Sequence, residues 1–156
     1  MPRYIPEEDT RLLLKNCYRQ YRQYSKVQTV LKNNLISLLD TVCPNVHRLF
    51  SSSIRGDGSE KWVDFVAEFW HCRCVSEKSE RAFTGKYLRW CRKHGYNFRE
   101  AKAHTIYAEA SGHIGVMPKF ETTKLLVEQA VAQLRATSTA LAALKHEMQS
   151  LASQLP

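Results

Sequence analysis

Cysteine and histidine side chains in the middle of this sequence have the types needed to hold a metal ion. They are arranged as Cys72-x-Cys74 and then as Cys91-x-x-His94. Structural zinc is bound tetrahedrally by four such thiolate and imidazole groups. The first pair is poorly spaced for this purpose, because side chains two residues apart on a helix point to nearly opposite sides. We therefore expect reduced cysteines in a helical core and no metal site, with a small zinc module as an alternative.

Carboxylates, hydroxyls and histidines show no arrangement that indicates catalysis. The sequence has neither a nucleophile elbow nor a glycine-rich phosphate loop. Asp64 and Glu68 are one turn apart on a predicted helix, which is a common surface arrangement. The serines at 51–53 fall in a segment with the composition of a loop. We expect neither a catalytic residue nor a cofactor in this chain.

A row of basic residues near the amino terminus suits contact with a polyanion. Its members recur at steps of three or four, which places them on one side of a helix. This first basic row consists of Arg11, Lys15, Arg19, Arg22 and Lys26. Residues 10–39 contain no Asp or Glu, so the row carries a repulsion that a phosphate backbone would relieve. The pattern predicts nucleic-acid contact, and a solvated face or an acidic protein partner is the alternative.

A second group of basic residues is interleaved with aromatic residues. This second basic group consists of Lys86, Arg89, Arg92, Lys93 and Arg99, and the aromatic residues among them are Tyr87, Trp90, Tyr96 and Phe98. Such a mixture suits a single strand or a nucleic-acid backbone. It equally suits a helix whose aromatic rings are core and whose arginine stems cover that core. Nucleic-acid contact is again predicted here, with the core interpretation left open.

Two segments near the ends of the chain carry heptad patterns that position these residues. Alternating steps of three and four give eight apolar or aromatic residues out of nine in each segment, which is typical of a seam between helices. The first seam is Leu14, Cys17, Tyr21, Tyr24, Gln28, Leu31, Leu35, Leu38 and Val42. The second seam is Val127, Ala130, Leu134, Thr137, Leu141, Leu144, Met148, Leu151 and Leu155.

The ends of both helices are also indicated by the sequence. Pro6 and the acidic residues after it suit a first helical turn, and Pro44 ends the first helix. Residues 121–155 contain no Gly or Pro. Because each apolar stripe must be buried, we expect the two helices to pack as an antiparallel coiled-coil hairpin. A compact bundle is the alternative, and the same seam could pair two copies of the chain into a homo-oligomer.

The segment between the two heptad patterns is predicted to be a small helical insertion. Helices fit residues 59–74, 77–94 and 97–111, the second ended by Gly95 and the third begun by a capping box of Asn97 and Glu100. No alternating strand pattern is present, so the fold class is all-α. The predicted organisation is a first long helix over 1–43, an insertion over 44–120 at the tip, and a second long helix over 121–156.

Composition bounds the class of protein and its location. The chain has 156 residues, a net charge of +8 and five cysteines, a basic balance that favours polyanionic partners. No stretch is long and apolar enough to suggest a membrane span, and residues 1–6 do not begin a secretory signal. The expectation is a cytoplasmic protein with reduced cysteines, associated with the nucleoid if it binds DNA.

Four short runs resemble a known family. Residues 2–8 read Pro-Arg-Tyr-Ile-Pro-Glu-Glu, and residues 31–35 read Leu-Lys-Asn-Asn-Leu before a leucine-rich stretch. Residues 58–62 read Gly-Ser-Glu-Lys-Trp, and residues 90–96 read Trp-Cys-Arg-Lys-His-Gly-Tyr. Together, over essentially the whole chain, they resemble the middle of the DEDD, RuvC-like transposases of bacterial insertion sequences. This is the IS-one-ten type, which includes the pilin-inverting recombinases.

The resemblance implies a place in DNA transposition. Members of that family have an amino-terminal RuvC-like domain with four acidic ligands for divalent metal, then a coiled coil, then a domain with a catalytic serine. They move DNA elements, and some are guided by an RNA. No catalytic residue of the family maps onto this chain, so the expectation is a truncated fragment that is not itself an enzyme. It would assemble with other copies and contact DNA and, in guided members, the RNA. The alternative is a free-standing coiled-coil interaction module with no nucleic-acid role.

Overall fold

Two long helices and four shorter ones make up the computed structural model, which describes residues 5–51 and 54–156. The helices are α1 (Glu7–Val42), α2 (Lys61–Glu68), α3 (Cys72–Ser76), α4 (Glu80–His94), α5 (Glu100–Ser111) and α6 (Glu121–Ala152), with a 3-10 turn at Val46–Leu49. No strand occurs in these described ranges, so the expectation of an all-helical chain is confirmed for them. Residues 2–4 of the first family-like run and the serines at 52 and 53 lie outside the described residues.

The long helices α1 and α6, together called the stem, pack against each other. As expected, α1 begins directly after Pro6 with acidic residues in its first turn, and it ends two residues before Pro44. Thr41 and Met117 are joined by a backbone hydrogen bond of 3.0 Å, and Gln28 donates a hydrogen bond of 3.1 Å to the Ser138 hydroxyl. These bonds fix which parts of the two helices lie side by side.

The predicted seam residues are the less exposed residues of the stem. Leu35, Val127, Leu134, Leu141 and Leu151 are buried. Half-buried members are Leu14, Tyr21, Leu31, Leu38, Leu144 and Met148. The pattern shifts by one residue near the Gln28–Ser138 bond, where Tyr24 is 37% exposed and Ser138, rather than Thr137, is buried. A small serine there lets a neighbouring loop approach closely.

Residues 44–120, called the insertion, build an aromatic core against one part of the stem. Phe65 lies at its centre, with ring centroids 5.0 Å from Phe50, 4.6 Å from Phe69 and 5.6 Å from Trp90. These rings are buried together with Tyr87. The burial of Tyr87 and Trp90 agrees with the interpretation that the aromatic residues among the second basic group are core.

The insertion contacts the side of α6 as well as the end of the stem. Gly58 has a positive φ of 87°, and a Cβ there would lie 2.4 Å from the Ser138 carbonyl oxygen. Only glycine allows this approach without strain. Lys32 of α1 forms an ion pair of 3.0 Å with Glu60. The insertion therefore covers the part of the stem around Leu35, Val127 and Leu134.

Two helix boundaries in the insertion differ from the prediction. The helix predicted over 59–74 is broken between α2 and α3, because the His71 ring caps α3 by accepting from the Arg73 amide at 3.1 Å. The other ring nitrogen therefore carries the proton and donates to the Met117 carbonyl at 2.8 Å. The helix predicted to begin at 77 begins at Glu80, since the Ser79 hydroxyl caps it.

The expected capping box at Asn97 and Glu100 was wrong. Arg99 is the residue that precedes α5, and no side chain caps that helix. Gly95, in contrast, ends α4 in the left-handed conformation with φ of 71°, as predicted. The first turn of α5 is thus left with amide groups that no side chain satisfies.

Candidate nucleic-acid interface

The first basic row lies along the exposed face of α1. Arg11, Lys15, Arg19, Arg22 and Lys26 are all exposed. Arg11 pairs with Glu7 at 3.0 Å, but no ion pair among the described residues includes the other four members. The row is therefore a positively charged surface in which four of the five charges are not neutralised by an ion pair within the described residues.

A shallow depression runs along this face. Its lining residues are Lys15, Tyr18, Arg19, Arg22, Gln23 and Lys26. The Arg22 guanidinium lies 5.9 Å from the centre of the exposed Tyr18 ring. Long cationic side chains around an exposed ring suit contact with a sugar–phosphate backbone more than recognition of a base edge. The depression faces solvent, since every residue named here is exposed.

The second basic group is on the outer face of α4, and its aromatic neighbours point inward. Arg89, Arg92 and Lys93 are exposed, and the half-buried Lys86 places Nζ 5.1 Å from the centre of the Phe69 ring. Tyr87 is fully buried and Trp90 is 4% exposed. These two rings cannot stack on bases, so of the two interpretations of this segment the structure favours a core covered by basic stems.

A third cluster of cations was missed by sequence reasoning. Arg55, Lys61 and the pair Arg99 and Lys102 come from three separate points of the chain, and only Arg99 belonged to a predicted group. The Lys61 and Lys102 ammonium groups lie 5.6 and 5.3 Å from the centre of the Phe50 ring. The Arg55 guanidinium lies 3.9 Å above the Tyr96 ring. No linear pattern could have identified a cluster that the tertiary fold assembles.

Three of these cations, Lys61, Arg99 and Lys102, surround a small open cavity of about 330 Å³. The residues that line this cavity are Phe50, Ser51, Lys61, Asn97, Arg99 and Lys102. Burial lowers the pKa of Lys61 from its usual value, and the positive charges of Lys102, Arg55 and Arg99 lower it further. This shift reflects the burial of Lys61 first and the repulsion among the four cations second.

The side chains considered for zinc do not come together. The Cys72 sulfur lies 3.7 Å from its neighbour's ring nitrogen, His71 Nδ1, and Cys91 is buried near Tyr87. His94 lies instead beside Asp64, at 4.0 Å. Within residues 5–51 and 54–156, no group of three or more Cys, His, Asp or Glu side chains is placed to hold a metal ion.

Burial makes the cysteines of the insertion poor nucleophiles. It raises the pKa of Cys43 to about 12, and the nearby Cys72 and Cys74 thiols add to this effect. Burial also raises the pKa of Cys91. Since the thiolate is the reactive form, both thiols are inert at neutral pH.

Asp64 is not on the surface, contrary to its sequence interpretation. It is 7% exposed and accepts hydrogen bonds from the Tyr96 hydroxyl at 2.6 Å and from Arg135 at 2.8 Å. The bond to Arg135 joins α2 to α6, so this carboxylate holds the insertion against the stem. A cleft beside it is lined by acidic side chains, by Arg135 and by the apolar Val63 and Leu134, so it is not a basic surface.

No helix in the described part of the chain combines the length and the apolar composition that crossing a membrane requires.

The structure therefore has a long basic surface on α1, a basic face on α4 and a cluster of cations around an open cavity. Compared with models of known protein families, with curated proteins and with solved structures, the chain matches none.

Proposed function

We propose that this chain serves a transposase of the DEDD, RuvC-like type as its assembly and nucleic-acid-contact section. In this proposal α1 contacts the backbone of DNA, or of a guide RNA, through the first basic row. The second basic group adds weaker contacts. Strand cleavage belongs to the metal-binding and serine-bearing domains of such a transposase, and no residue of this section takes part in the chemistry.

The uncompensated charge of α1 carries the proposal. A solvated helix ordinarily mixes acids and bases, because like charges one turn apart cost a few tenths of a kcal/mol. Among the residues that the structure describes, Lys15, Arg19, Arg22 and Lys26 have no acidic partner, and they share one exposed face. Binding to phosphates removes that repulsion and releases condensed counterions, so the arrangement favours a polyanion over bulk water.

The contacts of the stem support an antiparallel coiled-coil arrangement. Thr41 is bonded to Met117, just before α6 begins, and Gln28 is bonded to Ser138, further along α6. Tyr21 lines a small cavity with Lys145, which is further along again. Residues with decreasing numbers in α1 therefore contact residues with increasing numbers towards and along α6. The seam residues follow heptad spacing over the same length, as a coiled coil requires.

Assembly of two or more copies through the stem completes the proposal. Several large apolar side chains of α1 remain exposed beside the seam. They are Leu12, Leu13, Tyr24, Val27 and Val30. Two helices bury only one face of each other, and a further helix from a second copy would cover this remaining face. Homo-oligomer formation would also bring two first basic rows into one assembly.

Salt-dependent binding of a DNA duplex tests the proposed function. We expect the purified chain to bind a labelled duplex in fluorescence anisotropy, with an affinity that falls steeply as salt rises. A variant with Lys15, Arg19, Arg22 and Lys26 all replaced by Gln should lose roughly one unit of the logarithmic salt slope for each phosphate contact removed. Its helix content in circular dichroism should remain unchanged, because these side chains are exposed.

A matched control carries the same change of charge elsewhere. This control variant replaces four basic residues outside the proposed surfaces by Gln and so removes an equal charge. The four residues are Arg48, Arg73, Lys124 and Lys145. If this control loses as much affinity as the α1 variant, only the net charge matters and the proposed surface is wrong. Absence of binding at low salt would instead support a free-standing coiled-coil interaction module, the alternative that the exposed apolar face of α1 favours.

A further inference from the structure

The cation cluster of the insertion has the features of a site for one compact anion. Lys61 and Lys102 are half-buried, Arg99 is exposed, and the exposed Arg55 acts on Lys61 through its charge. Lys61 lies over both the Phe50 and Tyr96 rings, at 5.6 and 5.4 Å from their centres. The aromatic rings hold these flexible side chains in place on one side, so their charges converge on the cavity instead of dispersing into solvent.

Residues at the amino termini of two helices line the same cavity. Lys61 is the first residue of α2, and Arg99 directly precedes α5. Both residues line the cavity, and neither helix has a side-chain hydrogen bond capping its first turn. Amide groups of a first turn and the positive end of the helix dipole favour an anion there. The cluster of side chains and the two helix ends are separate observations that indicate the same kind of ligand.

The acidic residues nearest in sequence are engaged elsewhere. Glu60 pairs with Lys32 at 3.0 Å. Asp57 accepts hydrogen bonds of 2.7 and 2.9 Å from the hydroxyl and amide of Ser59, although its charge also acts on Arg55. Glu100 lines a different cavity, together with Glu80 and His104. No carboxylate lines the cavity between Lys61 and Lys102.

We infer that the pocket formed by Lys61, Asn97, Arg99 and Lys102 binds a phosphate group. A tetrahedral dianion accepts several charge-assisted hydrogen bonds at once, which a carboxylate of one charge does less well. The planar donor fork of Arg99 suits two phosphate oxygens, and the lysines act as point charges. Phe50 is 9% exposed, so the pocket has no open ring on which a base could stack. The pocket contains no residue of the first basic row and shares Arg99 with the second basic group, so it does not depend on the proposed contact of α1 with nucleic acid.

Calorimetric titration with inorganic phosphate tests this pocket in the intact chain, against a chloride buffer of equal ionic strength. Saturable binding is expected for the wild type. Lys61→Gln with Lys102→Gln should weaken it about tenfold or more, as expected for the loss of charged hydrogen bonds. Lys124→Gln with Lys145→Gln, which removes two charges of α6 outside the pocket and outside both basic groups, should change affinity less than about twofold. No saturable binding by wild type, or equal losses in both variants, overturns the inference.

A second variant guards against misfolding of the first. Arg99 is exposed, so Arg99→Gln should leave the fold intact while also weakening phosphate binding. If Arg99→Gln and the double variant are both folded and both bind phosphate as the wild type does, the pocket is not the site.

Two sources of the phosphate are separated by competition. A single-stranded oligonucleotide with a 5′-phosphate is compared with the same strand lacking it. If the phosphate increases the strand's affinity and inorganic phosphate removes the increase, the ligand is a nucleic-acid terminus. If inorganic phosphate binds and the terminal phosphate adds nothing, a small phosphorylated molecule is the ligand. Loss of duplex binding in the first-basic-row variant, with phosphate binding retained, would separate the failure of one proposal from that of the other.

Discussion

The two parts of the stem differ in how much of each helix is covered. Where the insertion packs, Leu35, Leu39, Val127, Val131 and Leu134 are all buried. Among the described residues, the first three-quarters of α1 contain one buried residue, Thr10. Beyond Ser138, α6 contains two buried residues, Leu141 and Leu151. We call the region against which the insertion packs the inner part of the stem. The first three-quarters of α1, together with α6 beyond Ser138, are called the outer part.

The difference shows how one pair of helices can carry out two tasks. The inner part is a scaffold, because burial on two sides fixes its position relative to the insertion. The outer part keeps most of its surface open, and this surface holds the first basic row on one face and exposed apolar residues beside the seam. A two-helix unit buries little apolar area by itself, so the outer part depends on the inner part, or on a partner, for stability.

The largest effect is expected from truncating the centre of the insertion core. Phe65→Ala should destabilise the protein by about 3–5 kcal/mol, since it leaves a cavity among four packed rings. Chemical denaturation measures the loss. Hydrogen exchange should show that the inner part loses protection along with the insertion, while the outer part changes less. Uniform loss of protection along both helices would mean that the stem does not have two distinct parts.

Leucine truncation in the two parts measures the difference directly. Leu134→Ala in the inner part should cost about 2–5 kcal/mol, as for a fully buried leucine. Leu144→Ala in the outer part removes the same atoms from a half-buried site, and should cost roughly half as much. Equal losses in thermal or chemical denaturation would show that the outer part is buried in solution, as association of two copies would cause. Sedimentation at two protein concentrations decides that case.

The stem was predictable from the sequence because its determinants are local. Heptad spacing depends on residues three and four apart, and the prolines near both ends of α1 act on their own neighbours. The shift in the seam at Ser138 was not predictable. It depends on the approach of Gly58, which is eighty residues away in the sequence.

The insertion was less predictable because its helix ends are set by distant contacts. His71 breaks a helix that the apolar pattern would continue, and its ring is held by the Met117 carbonyl. Asp64 was assigned to the surface because its helical spacing is ordinary, yet Arg135 and Tyr96 bind it from other elements. The cation cluster is similar, since Arg55, Lys61 and Lys102 have no shared period.

The link between the insertion and the stem should give a smaller effect than the core substitutions. Asp64→Asn removes the charge that binds Arg135, and should cost about 1–3 kcal/mol because polar groups are left poorly paired at a buried site. Arg135→Gln should cost less, since the Arg135 side chain is 45% exposed and screened by solvent. The double variant tests the pairing in a thermodynamic cycle. Additive losses would show that the two side chains do not interact.

The smallest effect is expected at Tyr96, and it depends on pH. Tyr96→Phe should cost about 0.5–1.5 kcal/mol at neutral pH through the lost bond to Asp64. Burial, followed by that hydrogen bond, raises the pKa of Tyr96 above its usual value of 10.0. Above pH 10.0 the unfolded chain therefore releases this proton first, and stability falls as pH rises towards the folded-state pKa.

The pH dependence separates the phenol from the other groups that titrate in the same range. Burial lowers the pKa of Lys61, which gives a slope of opposite sign, but Lys61 is present in both proteins and its contribution cancels in the comparison. The destabilisation caused by Tyr96→Phe should therefore shrink as denaturation is measured at increasing pH above 10.0. If the difference between wild type and variant stays constant across that range, the Tyr96 phenol does not donate to Asp64. Of the two hydrogen-bond donors to Asp64, only Arg135 would then remain.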